Sequence, residues 1–384
     1  MIYKKQIRLG MVGGGVDANI GNAHRFAARL DDRYILLAGA LSSTPERSKA
    51  SGQAIGLHPE RIYDDFNAMA EGESLRKDGI EAVAIVTPNN LHAESAIAFL
   101  KKGIHVICEK PLTATLDQAK NLAKVARETK ALFVLTHNYS GYPLIRQARE
   151  MIKAGELGKI ITVQAEYTIE WLNQAVEKEG LKQAIWRTDP SIAGTGCVGD
   201  VGTHAFHLVR FVTGLQVEEI SAELATFVPD RKVDDLVITK LRFNNGAKGM
   251  LWASQVAIGG ENALRIRVYG TSGSLDWNQE EPNHLIFAKQ NEPKRIITRM
   301  GSGSTKHGIR VSRLPKGHPE GYIEAFANIY TEAADAILTY QNGEKPSDSI
   351  TYPNLEDGLE GIVFVDACVQ SSKNNCQWIS LKKI

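Results

Sequence analysis

The chain of 384 residues sets 45 lysines and arginines against 44 acidic residues, a formal charge of +1, with 43% hydrophobic and 23% charged content. That balance excludes the strong global field of a nucleic-acid or anionic-membrane binder, and the composition excludes a disordered or low-complexity chain. The length suits two domains, each with its own core.

The opening "MIYKKQIRLGMVGGG" has too short an apolar run for a signal peptide, and no run of about 18 apolar residues marks a membrane span. Cys108, Cys197, Cys368 and Cys376 are scattered without disulfide-frame or metal spacing. They read as reduced thiols, and the expectation is a cytoplasmic protein with neither nucleic-acid nor membrane partner.

In chain order, "IRLGMV", "YILLAGAL", "IEAVAIVT", "IHVICEK" and "ALFVLTH" are continuous apolar runs separated by amphipathic stretches such as "LHAESAIAFLKKG" and "LDQAKNLAKVARETK". Strands buried on both faces and alternating with helices predict an α/β domain, a doubly wound parallel sheet of Rossmann type, over residues 1–137. In such a sheet ligands bind at the carboxyl ends of the strands. There the glycine turn after the first strand, with Gly13, Gly15, Ile20 and Gly21, would let backbone approach a pyrophosphate at a helix amino end. Five residues separate Gly15 from Gly21 where two are usual. The turn therefore reads either as a lengthened phosphate loop or as a tight turn with no ligand.

The second strand ends in "GALSSTPER", with Ser42 and Ser43 where an acid would accept from the adenosine ribose. Arg47 follows one helical turn on. The cofactor reads as NAD or NADP; the missing acid leans toward NADP, while Arg47 reads equally as a solvated helix charge.

Lys110 closes the strand "VICEK", and Pro111 holds it extended. An ammonium there would stabilise the alkoxide that develops as hydride leaves carbon, and partial burial would let it join in proton transfer. The alternative is a surface ion pair of "EK". Further on, "GTGCVGDVGTHAFHLVRFVTG" places Asp200 and His204 four apart at the start of an apolar helix, on one face of a helical or near-helical turn. An imidazole at a helix amino end favours its neutral, basic form, with Asp200 to orient it. His207 continues that face. It reads as a packed core histidine, or together with Asp200 and His204 as a zinc ligand; no further ligand cluster accompanies it, and no metal is expected.

Beyond this, "DLVITKLRFNNGAKGMLWASQV" gives two strands about an Asn245–Gly246 turn, and "LRIRVYGTSGSLDW" adds another pair. One face reads as buried and the other as partly polar. "GHPEGYIEAFANIYTEAADAIL" reads as a helix preceded by His318.

The motifs "GNAH", "VTPNNLH", "CEKPLT", "HNYSGYPLIRQAREMIKAGELGKI", "WRTDP" and "GDVGTHAFH", in this order over Ile7 to Gly214, resemble the Gfo/Idh/MocA oxidoreductases, which include glucose-fructose oxidoreductase and inositol dehydrogenase. The resemblance implies a Rossmann domain followed by an α+β domain, residues 138–384, built on an open, mostly antiparallel sheet, with the active site where the two meet. It also implies that Lys110, Asp200 and His204 act on a sugar or cyclitol hydroxyl. Thr87, Pro88, Asn89, His92, Glu109, Lys110 and Asn138, with the glycine-loop residues, would contact the cofactor. Trp186 and Arg187 would serve cofactor or substrate, and Tyr139 the substrate; His318 reads either as reaching the substrate or as a loop residue without such a role. Oligomers, dimers or tetramers, through the second sheet are implied as well.

The function expected is an NAD(P)-dependent dehydrogenase of a sugar, glycoside or cyclitol. One alternative is a glycosidase, lyase or epimerase that oxidises its substrate transiently with retained dinucleotide. The other is a sensor of dinucleotide and sugar without turnover. Which hydroxyl reacts depends on pocket shape, which sequence does not carry.

Overall fold

The computed structural model describes residues 5–16 and 18–381. Met1 to Lys4, part of the stretch read above for a signal peptide, lie outside the described residues. The chain divides into two compact units, Met1–Asn138 with Ile323–Leu359, and Tyr139–Tyr322 with Glu360–Ile384.

In the first unit, β1 (Ile7–Gly13), β2 (Tyr34–Ala40), β3 (Ala82–Val86), β4 (His105–Cys108) and β5 (Phe133–Leu135) form a wholly parallel sheet in the order β2-β1-β3-β4-β5. Between them run α1 (Asn19–Leu30), α2 (Pro45–Ala54), α3 (Phe66–Leu75), α4 (His92–Leu100) and α5 (Leu116–Glu128). Every residue of β3 is buried, which is why its sequence, "AVAIV", shows no polar alternation. Local chemistry fixes the helix starts: the Asp65 carboxylate accepts from the amides of Asn67 and Ala68 ahead of α3, and Thr115 and Gln118 form a capping box ahead of α5. Strand order reverses beside β1, so the carboxyl ends of β1 and β3 border a crevice.

The second unit holds α6 (Pro143–Lys153), β6 (Ile160–Thr168), α7 (Lys182–Arg187), α8 (Pro190–Ala193), α9 (Thr203–Thr213), β7 (Val217–Ala225), β8 (Leu236–Phe243), β9 (Lys248–Ser254), β10 (Ala263–Gly270), β11 (Gly273–Asn278), β12 (His284–Lys289), β13 (Arg295–Thr298) and α10 (Lys306–Arg310). Its nine-stranded sheet runs β13-β12-β11-β10-β6-β9-β8-β7-β14, the last being Ile379–Ser380. Only β6 and β9 pair in parallel, so the sheet is mostly antiparallel as expected. The hairpin at Asn245–Gly246 joins β8 to β9 through a three-residue loop, Asn244 to Gly246, with Gly246 at φ +87° and Phe243 paired to Ala247. On β10, Leu264, Ile266 and Val268 are buried while Arg265 and Arg267 on the other face meet Asp276 and Glu166.

α11 (Tyr322–Gln341) and only the start of α12 (Leu355–Lys373) change the expected bounds. The sequence predicts a single domain after residue 137, whereas 323–359 cluster with the first unit. Apolar and polar anchors explain this. Tyr330 stacks edge-on against Tyr34 at 5.3 Å, Phe326 against His24 at 4.8 Å, and Asp335 pairs with Arg33 at 2.7 Å.

Candidate active site

At the end of β1 the chain turns through Gly13 and Gly14, at φ +75° and +66°. A Cβ on Gly13 would lie 2.6 Å from the Val86 carbonyl, and one on Gly21 would lie 2.3 Å from that of Gly14. Gly14 and Gly21 are therefore the pair that lets loop and helix touch. Sequence spacing singles out Gly15, by likeness to the usual fingerprint, and gives no sign of Gly14. The Arg25 guanidinium, buried, donates to the Gly14 carbonyl at 2.5 Å and to Asn22. Helix α1 starts at Ala18, which offers no side-chain cap, and the amides of its first turn, that of Ile20 among them, are the kind of donor a phosphate can use. Thr87 Oγ1, Asn90 Oδ1 and Asn138 Nδ2, all just beyond strand ends, are buried without a hydrogen-bond partner. A glycine cradle, an open helix terminus and these unspent polar atoms fit a dinucleotide. Ser42 is half-buried, and Ser43 and Arg47 are exposed, beyond β2.

Lys110 follows β4, half-exposed, and its peptide bond to Pro111 is cis. Glu109, before it, is buried. Its Oε1 accepts from His24 Nε2 at 2.9 Å and from Thr136 Oγ1 at 2.6 Å, and its Oε2 from the Lys110 amide at 3.1 Å. Burial pushes this carboxyl up, but the bond and charge of His24, then the Lys110 charge and the Thr136 hydroxyl, more than offset it and hold the pKa low. His92 is fully buried, one ring nitrogen 2.8 Å from the Pro111 carbonyl and the other 2.9 Å from that of Thr87. Pro88 is half-buried and Asn89 buried beside it.

In the second unit a single π-helical turn, Val198–Gly202, carries Asp200 directly into α9, where His204 is the second residue. The turn is thus near-helical, with the wider winding that often accompanies functional sites. Asp200 accepts from Gln255 Nε2 at 2.8 Å and lies 3.7 Å from the Arg187 guanidinium, which stacks over Trp186 at 4.1 Å and Trp171 at 5.8 Å. The His204 ring meets Tyr139 edge-on at 4.7 Å and Tyr167 at 5.9 Å, and the two phenols share a 2.5 Å hydrogen bond. Burial first, then Tyr139 and the Asp200 charge, raise the Tyr167 pKa well above its usual value, so it stays a phenol. It donates onward to Asn262 at 2.6 Å.

Asp234 anchors the π turn from below: its carboxylate accepts from the amides of Gly196 and Val198 at 2.8 and 2.7 Å. Burial, helped by the adjacent Asp235 charge and opposed by those two amides, pushes its pKa up to about 6. Neither Gln255 nor Asp234 carried a sequence signal, since each reaches the site through sheet register.

His318 and His207 complete the positions singled out by the sequence. His318 is exposed in a turn whose carbonyl accepts from Arg299. His207 is buried with Phe211 at 5.7 Å, and burial, then Arg210, Arg146 and Arg149, press its pKa well down, as for a core histidine. Among the described residues, no three His, Cys, Asp or Glu side chains gather as a metal would need, and no helix is long and apolar enough to cross a membrane.

Residues 7–137 match the oxidoreductase family with an NAD-binding Rossmann fold, and residues 145–276 match the GFO/IDH/MocA C-terminal domain. The uncharacterized oxidoreductase YfiI of Bacillus subtilis (strain 168) is 34% identical over 99% of this chain and 98% of its own. An oxidoreductase from Sinorhizobium meliloti, solved as a crystal structure, is 54% identical with a TM-score of 0.90, over 98% of this chain and 100% of its own. An inositol dehydrogenase homolog from Azotobacter vinelandii, solved with NADH and myo-inositol, is 35% identical with a TM-score of 0.91 over 98% of both chains. With the glycine cradle, the EKP turn and the Asp200–His204 turn all present, the chain belongs to the GFO/IDH/MocA oxidoreductases, and its first unit is their NAD-binding Rossmann domain.

Proposed function

We propose that the chain oxidises a secondary hydroxyl of a cyclitol or sugar, with Lys110, Asp200 and His204 acting on that hydroxyl. The observation that carries this is the Asp200–His204 turn, where an imidazole among tyrosines lies one turn from a carboxylate held by Gln255 and Arg187. The Azotobacter neighbour solved with NADH and myo-inositol supports a polyol substrate.

NAD, when bound, supplies the hydride acceptor. Gly13, Gly14, Gly15, Gly21 and the first turn of α1 would hold its pyrophosphate, with Thr87, Pro88, Asn89 and Asn138 toward the nicotinamide. His204 takes the hydroxyl proton, Asp200 orients it, and the Lys110 ammonium stabilises the oxyanion as it forms. Trp186, Arg187 and Tyr139 border the substrate. The choice between NAD and NADP turns on Ser42, Ser43 and Arg47, and the complex of the Azotobacter neighbour favours NAD. A second copy of the chain covers the outward face of the nine-stranded sheet, where Ile238 and Met250 are exposed, making a cytoplasmic homo-oligomer.

A panel of cyclitols, hexoses and glycosides with NAD and with NADP, followed by the absorbance of reduced nicotinamide, tests the reading. Stoichiometric accumulation separates a dehydrogenase from a redox-neutral lyase or epimerase. On the substrate found, Lys110→Ala should lower kcat by roughly a hundredfold or more with the Kd for NAD unchanged. Wild-type turnover in that variant would refute the assignment.

A further inference from the structure

We propose that two buried histidines, His24 and His92, clamp the peptide on either side of Lys110 and act with Glu109 as positioning residues for its ammonium. The inference rests on the role given to Lys110 above and deepens it. It also moves Glu109 and His92 from cofactor contact to scaffold.

On the amino side, Glu109 has its carboxylate committed inside the unit. His24 Nε2 on α1, Thr136 Oγ1 after β5 and the Lys110 amide all point at it. The far nitrogen of His24 is 2.6 Å from the Tyr330 hydroxyl on α11. With Glu109 ionised, His24 Nε2 donates to it; burial keeps Tyr330 a phenol, which can donate to Nδ1. The chain Tyr330–His24–Glu109 thus runs from one helix through another into the turn. On the carboxyl side, the buried His92 ring at the start of α4 sits between the carbonyls of Pro111 and Thr87, at 2.8 and 2.9 Å, and so is wedged between the turn after β4 and the end of β3. Burial lowers its pKa, and the neutral ring donates to one carbonyl.

Lys110 itself is the half-exposed residue between these two anchors. His24 also lies one helical turn beyond Gly21, on the helix whose amino end faces the phosphate site, so the same rigid element sets both the loop and the lysine turn. A lysine on a flexible stem needs such a fixed backbone if its ammonium is to meet one oxygen rather than sweep a volume.

The test is steady-state kinetics at saturating NAD and substrate, the primary deuterium isotope effect on kcat, NAD titration, and thermal melting of the full chain. The variants are Glu109→Gln, His24→Leu, His24→Gln, His92→Leu and Thr136→Val. Glu109→Gln, His24→Leu and His92→Leu should each lower kcat by roughly tenfold to a hundredfold, raise the isotope effect, and leave the Kd for NAD within about threefold. His24→Gln, which retains a donor toward Glu109, should recover most of the loss. Thr136→Val, which removes one hydroxyl without changing shape, gives a folded readout should a histidine variant misfold, and should lower kcat by about threefold to tenfold. Wild-type kcat in Glu109→Gln and Thr136→Val overturns the proposal, as does weakened NAD binding at unchanged kcat. If Lys110→Ala is also fully active, the functional reading has failed; if Lys110→Ala is dead while these variants are active, only the clamp has.

Discussion

Gly21→Ala perturbs a close backbone contact between the dinucleotide loop and its helix. The added methyl would lie 2.3 Å from the Gly14 carbonyl oxygen, 2.6 Å from its Cα and 2.7 Å from its carbonyl carbon, all main-chain atoms, against an ordinary contact of 3.4 Å or more. No flexible side chain can give way, so loop and helix must part by about 1 Å, and overpacking of this kind costs about 1–3 kcal/mol. The Gly14 carbonyl is also held by Arg25, whose own position on α1 ties the strain to the same helix. Carried wholly by the loop, that energy weakens NAD binding by roughly fivefold to a hundredfold. Carried instead by the apo fold, it lowers the melting temperature by about 2–4 °C per kcal/mol. Calorimetric titration with NAD and differential scanning on the same preparation measure both shares. A variant that binds NAD and melts as wild type does would refute the close-approach argument.

Two further outcomes follow from geometry. Asp234 has a folded pKa raised to about 6 from 3.8, so the folded state holds its proton more tightly; the stability it adds is complete below about pH 4 and is lost as pH rises through about 6, by at most about 3 kcal/mol. The difference in unfolding free energy between wild type and Asp234→Asn, measured by denaturant titration across that window, should shrink as pH rises, and a flat difference would refute it. Replacing Ile238 and Met250 together by lysine on the outward sheet face should reduce a wild-type oligomer to the mass of a monomer by light scattering; a monomeric wild type would refute the second-copy reading.

Much of this was legible because its signals are local. Five apolar runs became five parallel strands, since burial on both faces leaves no room for polar alternation. Asn245–Gly246 gave a hairpin because Gly246 takes the left-handed conformation the loop needs. What stayed hidden was set by packing at a distance. Gln255 touches Asp200 across 55 positions of sequence, through the placing of a strand end beside the π turn. Gly14 and Gly15 are chemically identical in sequence, and only the close approach of α1 singles out the former. The periodicity of "YIEAFANIYTEAADAIL" announces a helix but not which core it completes.

The late place of this helix in the chain bears on how the protein is made. Tyr330, Phe326 and Asp335 complete the packing of residues near the chain's beginning, yet they leave the ribosome some three hundred positions later. A nascent chain therefore has all five parallel strands translated while still lacking the helix that seals His24 and Tyr34. A fragment ending at Asn138, cut where the nucleotide fold looks finished on paper, would expose that seam to water and to other nascent chains.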